Sequence, residues 1–195
     1  MRERRPSERE LFEVAAGQAG YFTARHAHAA GYSDALLKHH VDTGRFEHPR
    51  RGIYRLRDFP RERFEDLVEL QLWAGTGAVL SHETALVVHD LTDLLPQRIH
   101  ITVPRTTKRR LTDPRIQLHR SSLRPSEAEK VESVSVTTAT RTLKDVAGRI
   151  ESEQFDLAVR QALERGLTDR RKLHAALGAP YGRVWKALRP FVGDA

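Results

Sequence analysis

Cysteine is absent from the 195 residues, which excludes a disulfide framework, a thiolate nucleophile and a cysteine-ligated zinc finger, and fits a reducing compartment. Long apolar runs are lacking too. The basic start Met1-Arg2-Glu3-Arg4-Arg5-Pro6 leads into no apolar segment of signal-peptide type, and no later stretch approaches the length of a membrane span. A soluble, cytoplasmic chain with no membrane partner is therefore expected. The loop Gly75-Thr76-Gly77 has neither the spacing nor the lysine of a phosphate-binding P-loop. His82 and His89 stand seven apart, where a zincin needs its two histidines four apart; on a helix they share a face but are separated by about 10.5 Å of rise. No metal and no cofactor is assigned on this basis, and the ordinary reading of these histidines is burial or capping.

What is present is charge. Lysine and arginine number 33 against 26 acids, a formal net charge of +7, which favours polyanionic partners without specifying a fold. The length allows one large or two small domains with a core that needs no covalent staples.

Residues 20–56 carry the strongest local signals. Thr23 is placed to cap a helix over 24–30, with Tyr21 and Phe22 packing its entrance and alanines at 24, 27, 29 and 30 permitting close approach. Gly31 ends that helix, Ser33 caps a second over 34–43, and Gly44 stops it. At about 100° per residue, Leu37 and Val41 share an inward face while Lys38, His39, Asp42 and Thr43 turn outward. Two alternating runs, 45–48 and 52–56, then flank the turn Pro49-Arg50-Arg51-Gly52, where glycine supplies a positive φ. From Arg45 to Arg57 there are five arginines and one acid, Glu47. Two short helices followed by a basic hairpin are the anatomy of a winged helix-turn-helix, and a basic loop beside an outward polar helix suits a duplex phosphate backbone.

Around this segment, a capping-box pattern at Ser7 to Glu10 starts a helix ending near Gly17, with Leu11 and Phe12 expected in the core. Phe59-Pro60 marks a boundary, and 62–74 is an amphipathic helix. Strands are expected at 78–80, 98–104, 116–119 and 132–137, and a helix from Ser81 to His89. The run from Arg105 to Arg110 holds four basic residues in six positions, either a solvated loop or a second phosphate contact. Helices over 154–165, 169–177 and 183–191, and one opened by Thr138 or Thr140, form a helical tail. The fold class expected is α+β: a winged helix-turn-helix over 1–58, then a small mixed α/β domain with a helical C-terminal tail over 59–195.

The order of these blocks resembles a known family. The segment G-Y-F-T-A, then L-x-x-x-V-x-x-G-R-F and R-R-G-I-Y-R-L, is similar to the N-terminal domain of AbiEi-family antitoxins of type IV toxin-antitoxin systems. L-S-H-E-T-A-L-V-V-H-D-L, I-H-I-T-V-P and V-T-T-A-T-R-T-L-K-D-V resemble the family's region beyond the wing, so the likeness runs from about Leu11 to about Leu177. The resemblance implies a DNA-binding antitoxin that represses its own operon and counters a nucleotidyltransferase-like toxin encoded beside it, one acting on RNA such as tRNA. Carried over by position, Ser33, Lys38, His39 and Thr43 on the helix and Arg45, Arg50, Arg51 and Arg55 on the wing become the DNA-contact candidates, with double-stranded operator DNA, as an inverted repeat, for partner. Arg141 and Asp145 fall in the family-like R-T-L-x-D block and also read as a helical i,i+4 ion pair.

Two other classes stay open. One is a nucleic-acid-cleaving enzyme with a winged-helix targeting domain, but no P-D followed by E-x-K occurs, and Asp113, Glu127, Glu129 and Glu132 show no recognisable spacing. The other is an interaction module whose positive surface takes an acidic protein. No catalytic residue is assigned.

Overall fold

The structure, a computed structural model, describes residues 5–93, 95–108 and 112–193. It divides into two compact units, residues 1–76 with 132–134, and residues 77–131 with 135–195. The helix expected at 62–74 thus belongs to the first unit, whereas the sequence placed the start of the second domain at residue 59.

In the first unit, α1 (Glu8–Ala16) starts at Ser7, whose hydroxyl accepts from Glu10 N at 3.3 Å. It is followed by β1 (Tyr21–Thr23), α2 (Ala24–Ala29), α3 (Asp34–Asp42), β2 (Phe46–Arg50), β3 (Ile53–Leu56) and α4 (Glu65–Ala74). Thr23 caps α2 through a reciprocal pair with His26. Gly44 (φ +76°) closes the α3 end and Gly52 (φ +76°) makes the hairpin turn, both in the left-handed region that side chains resist. β1 went unforeseen because three residues are too few to show alternation. It exists by pairing antiparallel with β3, which lies between β1 and β2.

The period-two rule sorts this sheet into two unlike faces. Phe22, Phe46, Tyr54 and Leu56 face the helices, where Leu11, Ala15, Ala27, Ala30, Tyr32 and Leu37 complete the core. Phe22 meets Phe46 edge-on at 5.1 Å and stacks on Tyr54 at 5.6 Å. Each such fully buried ring or leucine contributes about 1.5–3 kcal/mol. Phe12 is not among them: it is 54% exposed and approaches Phe59 at 6.3 Å. The opposite face, with Tyr21, Ile53 and Arg55, is covered by α4, which begins at Glu65 and not at residue 62.

The second unit holds β4 (Val79–Leu80), α5 (His82–Val88), β5 (Ile99–Val103), β6 (Ile116–Arg120), a 3-10 turn (Pro125–Glu127), β7 (Ala128–Val131), β8 (Val134–Thr137), α6 (Ala139–Val146), α7 (Ser152–Glu164), α8 (Arg170–Ala176) and α9 (Arg183–Val192). The strands form one mixed sheet in the order β6-β5-β4-β8-β7, with β4 antiparallel to β5 and parallel to β8, and β5 parallel to β6. β7, absent from the strands expected from the sequence, has charged residues at Glu129 and Lys130 and both are exposed, as suits a sheet edge. The helices pack through Leu86, Leu91, Leu143, Phe155, Val159, Leu173 and Leu188. His89 is 6% exposed and its Nε2 lies 2.8 Å from Thr137 O, so it is a buried structural histidine. Among the described residues, no helix is long and apolar enough to cross a membrane.

Candidate nucleic-acid interface

The turn between α2 and α3 is short because Gly31 (φ +87°) reverses the chain and Tyr32 buries beneath it at 4% exposure. Ser33 then caps α3, its Oγ accepting from Leu36 N at 3.2 Å. Leu37, at 1% exposure, and His40 anchor the inner face of α3. His40 packs on Phe46 at 4.8 Å, and burial, with the fields of Arg45 and His39, holds its pKa below the ordinary histidine value. It is therefore neutral and interior.

The outer face is where the sequence placed it. Ser33, Lys38, His39 and Thr43 are all exposed. Lys38 Nζ bonds Asp42 Oδ2 one turn on, an exposed i,i+4 pair. Such pairs are worth about 0.3–0.5 kcal/mol, so the ammonium exchanges its carboxylate for another anion at little cost. Thr43 Oγ1 donates to His39 O at 2.9 Å, which ties up the hydroxyl proton at the helix end. Thr43 thus has a structural duty that its exposure alone does not reveal.

The wing arginines separate into two groups. Arg51 is exposed at the turn, beside Gly52. Arg45, at the start of the hairpin, is exposed and contacts Glu8 at 3.1 Å. Arg50 turns instead toward α4: its Nε donates to Glu69 Oε1 at 2.9 Å with both side chains under 20% exposed, and its guanidinium lies 4.5 Å over the Trp73 ring. A cation held by a shielded carboxylate and an indole face is committed to packing.

Arg55 must be removed from the DNA-contact set. It is 0% exposed, in the central strand, with Nη2 donating to Phe59 O (2.8 Å), Pro60 O (3.1 Å) and Glu65 Oε2 (3.4 Å), and Nη1 to Leu56 O (3.2 Å). Glu47, directly opposite on β2, stands 4.0 Å away. The physical reason is the pleat. Arg55 lies on the same face as Ile53 and Tyr21, which α4 covers, so its charge is spent on Glu65 and on the carbonyls of residues 56–60 as the chain leaves the wing. Alternation with Ile53 was the sequence signal that could have identified it.

Of the other residues singled out from sequence, Asp113 is held by Arg115 at 2.8 Å and Glu127 by Arg124 and Arg141 at 3.3 and 3.2 Å. These acids are engaged by cations and do not form a carboxylate cluster among the described residues. Arg141 Nε does meet both oxygens of Asp145, at 2.9 and 3.0 Å, in an i,i+4 pair whose side chains are only 15% and 11% exposed. Of the basic run 105–110, Arg105 and Lys108 are exposed, and Arg109 and Arg110 lie outside the described residues.

Two family models match the chain, one in each half. Residues 9–57 match the family described as a transcriptional regulator, AbiEi antitoxin. Residues 76–193 match the AbiEi antitoxin C-terminal domain. Among solved structures, the crystal structure of the RV2827C protein from Mycobacterium tuberculosis is similar in fold, with a TM-score of 0.55 at 14% identity, covering 97% of this chain and 78% of that one. No curated protein matches.

Proposed function

Because the chain belongs to the AbiEi antitoxin family, we propose that it is a DNA-binding antitoxin that represses its own operon and counters a nucleotidyltransferase-like toxin encoded beside it. An antitoxin and regulator role follows from the family. The observation that carries the DNA reading is the outer face of α3, with exposed Ser33, Lys38 and His39 on a helix capped at both ends, packed in one unit with a hairpin whose turn presents Arg51. α3 enters the major groove, with Lys38 and His39 reaching base edges. Arg51 and Arg45 meet phosphate and set the register. Two copies on an inverted repeat supply the specificity that one small helix lacks. The action is non-enzymatic, and it takes place in the cytoplasm.

The test is a gel-shift titration of the full chain on the DNA upstream of its own gene, at several salt concentrations and beside an unrelated duplex. Lys38→Ala and His39→Ala are expected to weaken binding to the upstream DNA by about 1–3 kcal/mol while leaving the unrelated duplex less affected. Equal affinity for both duplexes in the parent protein overturns the operator reading. Growth arrest by the neighbouring nucleotidyltransferase-like protein, relieved on co-expression of this chain, tests the antitoxin reading separately.

A further inference from the structure

The second unit contains a histidine cluster that no role described above uses. β5 and β6 run parallel in the register His100 to Gln117 and Thr102 to His119, so His100, Thr102 and His119 emerge on one face. The β4–α5 junction delivers a third ring to that face. Ser81 N donates to His100 O at 3.0 Å, His100 N donates to Thr84 Oγ1 at 2.8 Å, and Thr102 Oγ1 donates to Ser81 Oγ at 2.8 Å. These bonds lock the start of α5 onto the strand. His82, the first residue of α5, adopts φ +54°, a left-handed conformation uncommon for a residue with a side chain. Its ring is buried and stacks on His119 at 3.7 Å between centroids.

One ring nitrogen from each of His82, His100 and His119 lies within 4.8 Å of the other two. The His100 Nδ1 to His119 Nε2 distance is 3.1 Å. Two nitrogens bound to zinc at 2.0–2.1 Å in a tetrahedron stand about 3.3 Å apart, so this pair is already at ligand spacing. His82 Nδ1 lies 3.0 Å from Ser81 Oγ; in the tautomer that donates from Nδ1 to that oxygen, Nε2 carries the lone pair, the arrangement of metal-ligating histidines. Glu83 Oε2 lies 2.9 Å from that same His100 Nδ1, so an ion would displace the proton of that nitrogen and keep the carboxylate's negative charge at the edge of the cluster.

We propose that His82, His100 and His119 bind a divalent transition-metal ion of the zinc class, with Glu83 supplying the compensating charge. Imidazole nitrogens select zinc and its neighbours over magnesium or calcium, which prefer oxygen. Two rings stacked 13° from parallel cannot both hold one ion in their planes, so binding requires the stack of His82 on His119 to open. The ion would tie β5, β6 and the start of α5 together.

The test is a titration of Zn²⁺ alone into the metal-stripped full chain, in competition with a chromophoric chelator. One tight equivalent is expected. His100→Gln with His119→Gln should weaken it by about a hundredfold or more, while His174→Gln, at an exposed histidine of α8, should leave it intact. Ring ¹⁵N shifts of the parent protein need no variant: on zinc addition those of His82, His100 and His119 should move together. Zinc affinity unaffected by the double replacement, absence of a tight equivalent in the parent, or ring shifts at other histidines would overturn the proposal. None of these outcomes depends on DNA binding.

Discussion

The tip and the base of the wing are equally basic in sequence and opposite in what they do with that charge. Arg51, at the turn, is exposed. Arg50 and Arg55, one and four residues away, are turned onto α4, against Glu69 and Trp73 in one case and against Glu65 and a run of carbonyls in the other. A count of arginines thus overstates the field a hairpin presents to a polyanion. What decides is the face of the pleat and whether an acidic helix lies beneath it, and α4 carries Glu65, Asp66 and Glu69. Tyr21 reports the same acidic surroundings: burial, then Glu65 and Glu69, raise its phenol to about 12.

This contrast can be broken at its strongest point first. Arg55→Ala removes one partner from a fully buried, multiply bonded charge cluster, and it is expected to destabilise the first unit by about 3–5 kcal/mol, read as a lowered urea midpoint. A loss under about 1 kcal/mol would mean that the base of the wing is not held by Arg55. Arg50→Ala should lose about 1–2 kcal/mol of stability, from a shielded ion pair and an indole contact. Its effect on DNA affinity should be smaller than that of Arg51→Ala. Arg51→Ala is the converse: stability unchanged within about 0.5 kcal/mol, affinity lowered by a similar factor on all sequences, and the salt slope reduced by about 1. If Arg50→Ala flattened the salt slope as much as Arg51→Ala, the division into tip and base would fail.

The smallest effect concerns pH. The folded-state pKa of His40 is below its unfolded value, because burial excludes the charged ring and Arg45 and His39 add to that. The unfolded chain then binds the proton more readily, so stability is full above about pH 6.5 and declines as pH falls toward the folded value. Urea midpoints at about pH 7.5 and about pH 5.5 should differ less in His40→Phe than in the parent protein. His26, lowered by burial and Arg25, adds a background common to both.

Much of the first unit was legible because caps and turns are local. Thr23, Ser33, Gly44 and Gly52 each mark their boundary through a hydrogen bond or a φ that a few neighbouring residues dictate. The outward face of α3 followed from helical period alone. Phe12 was misplaced because periodicity assigns a side without saying whether anything covers it, and the three-residue β1 was invisible because its reason for being a strand is β3.

By itself, then, the chain of residues determined the helices around 24–42, the hairpin, the charged helix face with Lys38 and His39, and the resemblance across both halves. Tertiary structure decided what those charges are for. Helix α4, the element after the wing, folds back under the hairpin and converts Arg55 and Arg50 from ligand contacts into parts of the fold. The second unit repeats the point. His82 was weighed against His89 because they share a helix period, yet His89 binds a carbonyl of β8 while His82 meets two histidines on strands 18 and 37 residues further on. Side chains that share a helix can be paired by counting, but those brought together by strand register and a left-handed residue meet only when the sheet has formed.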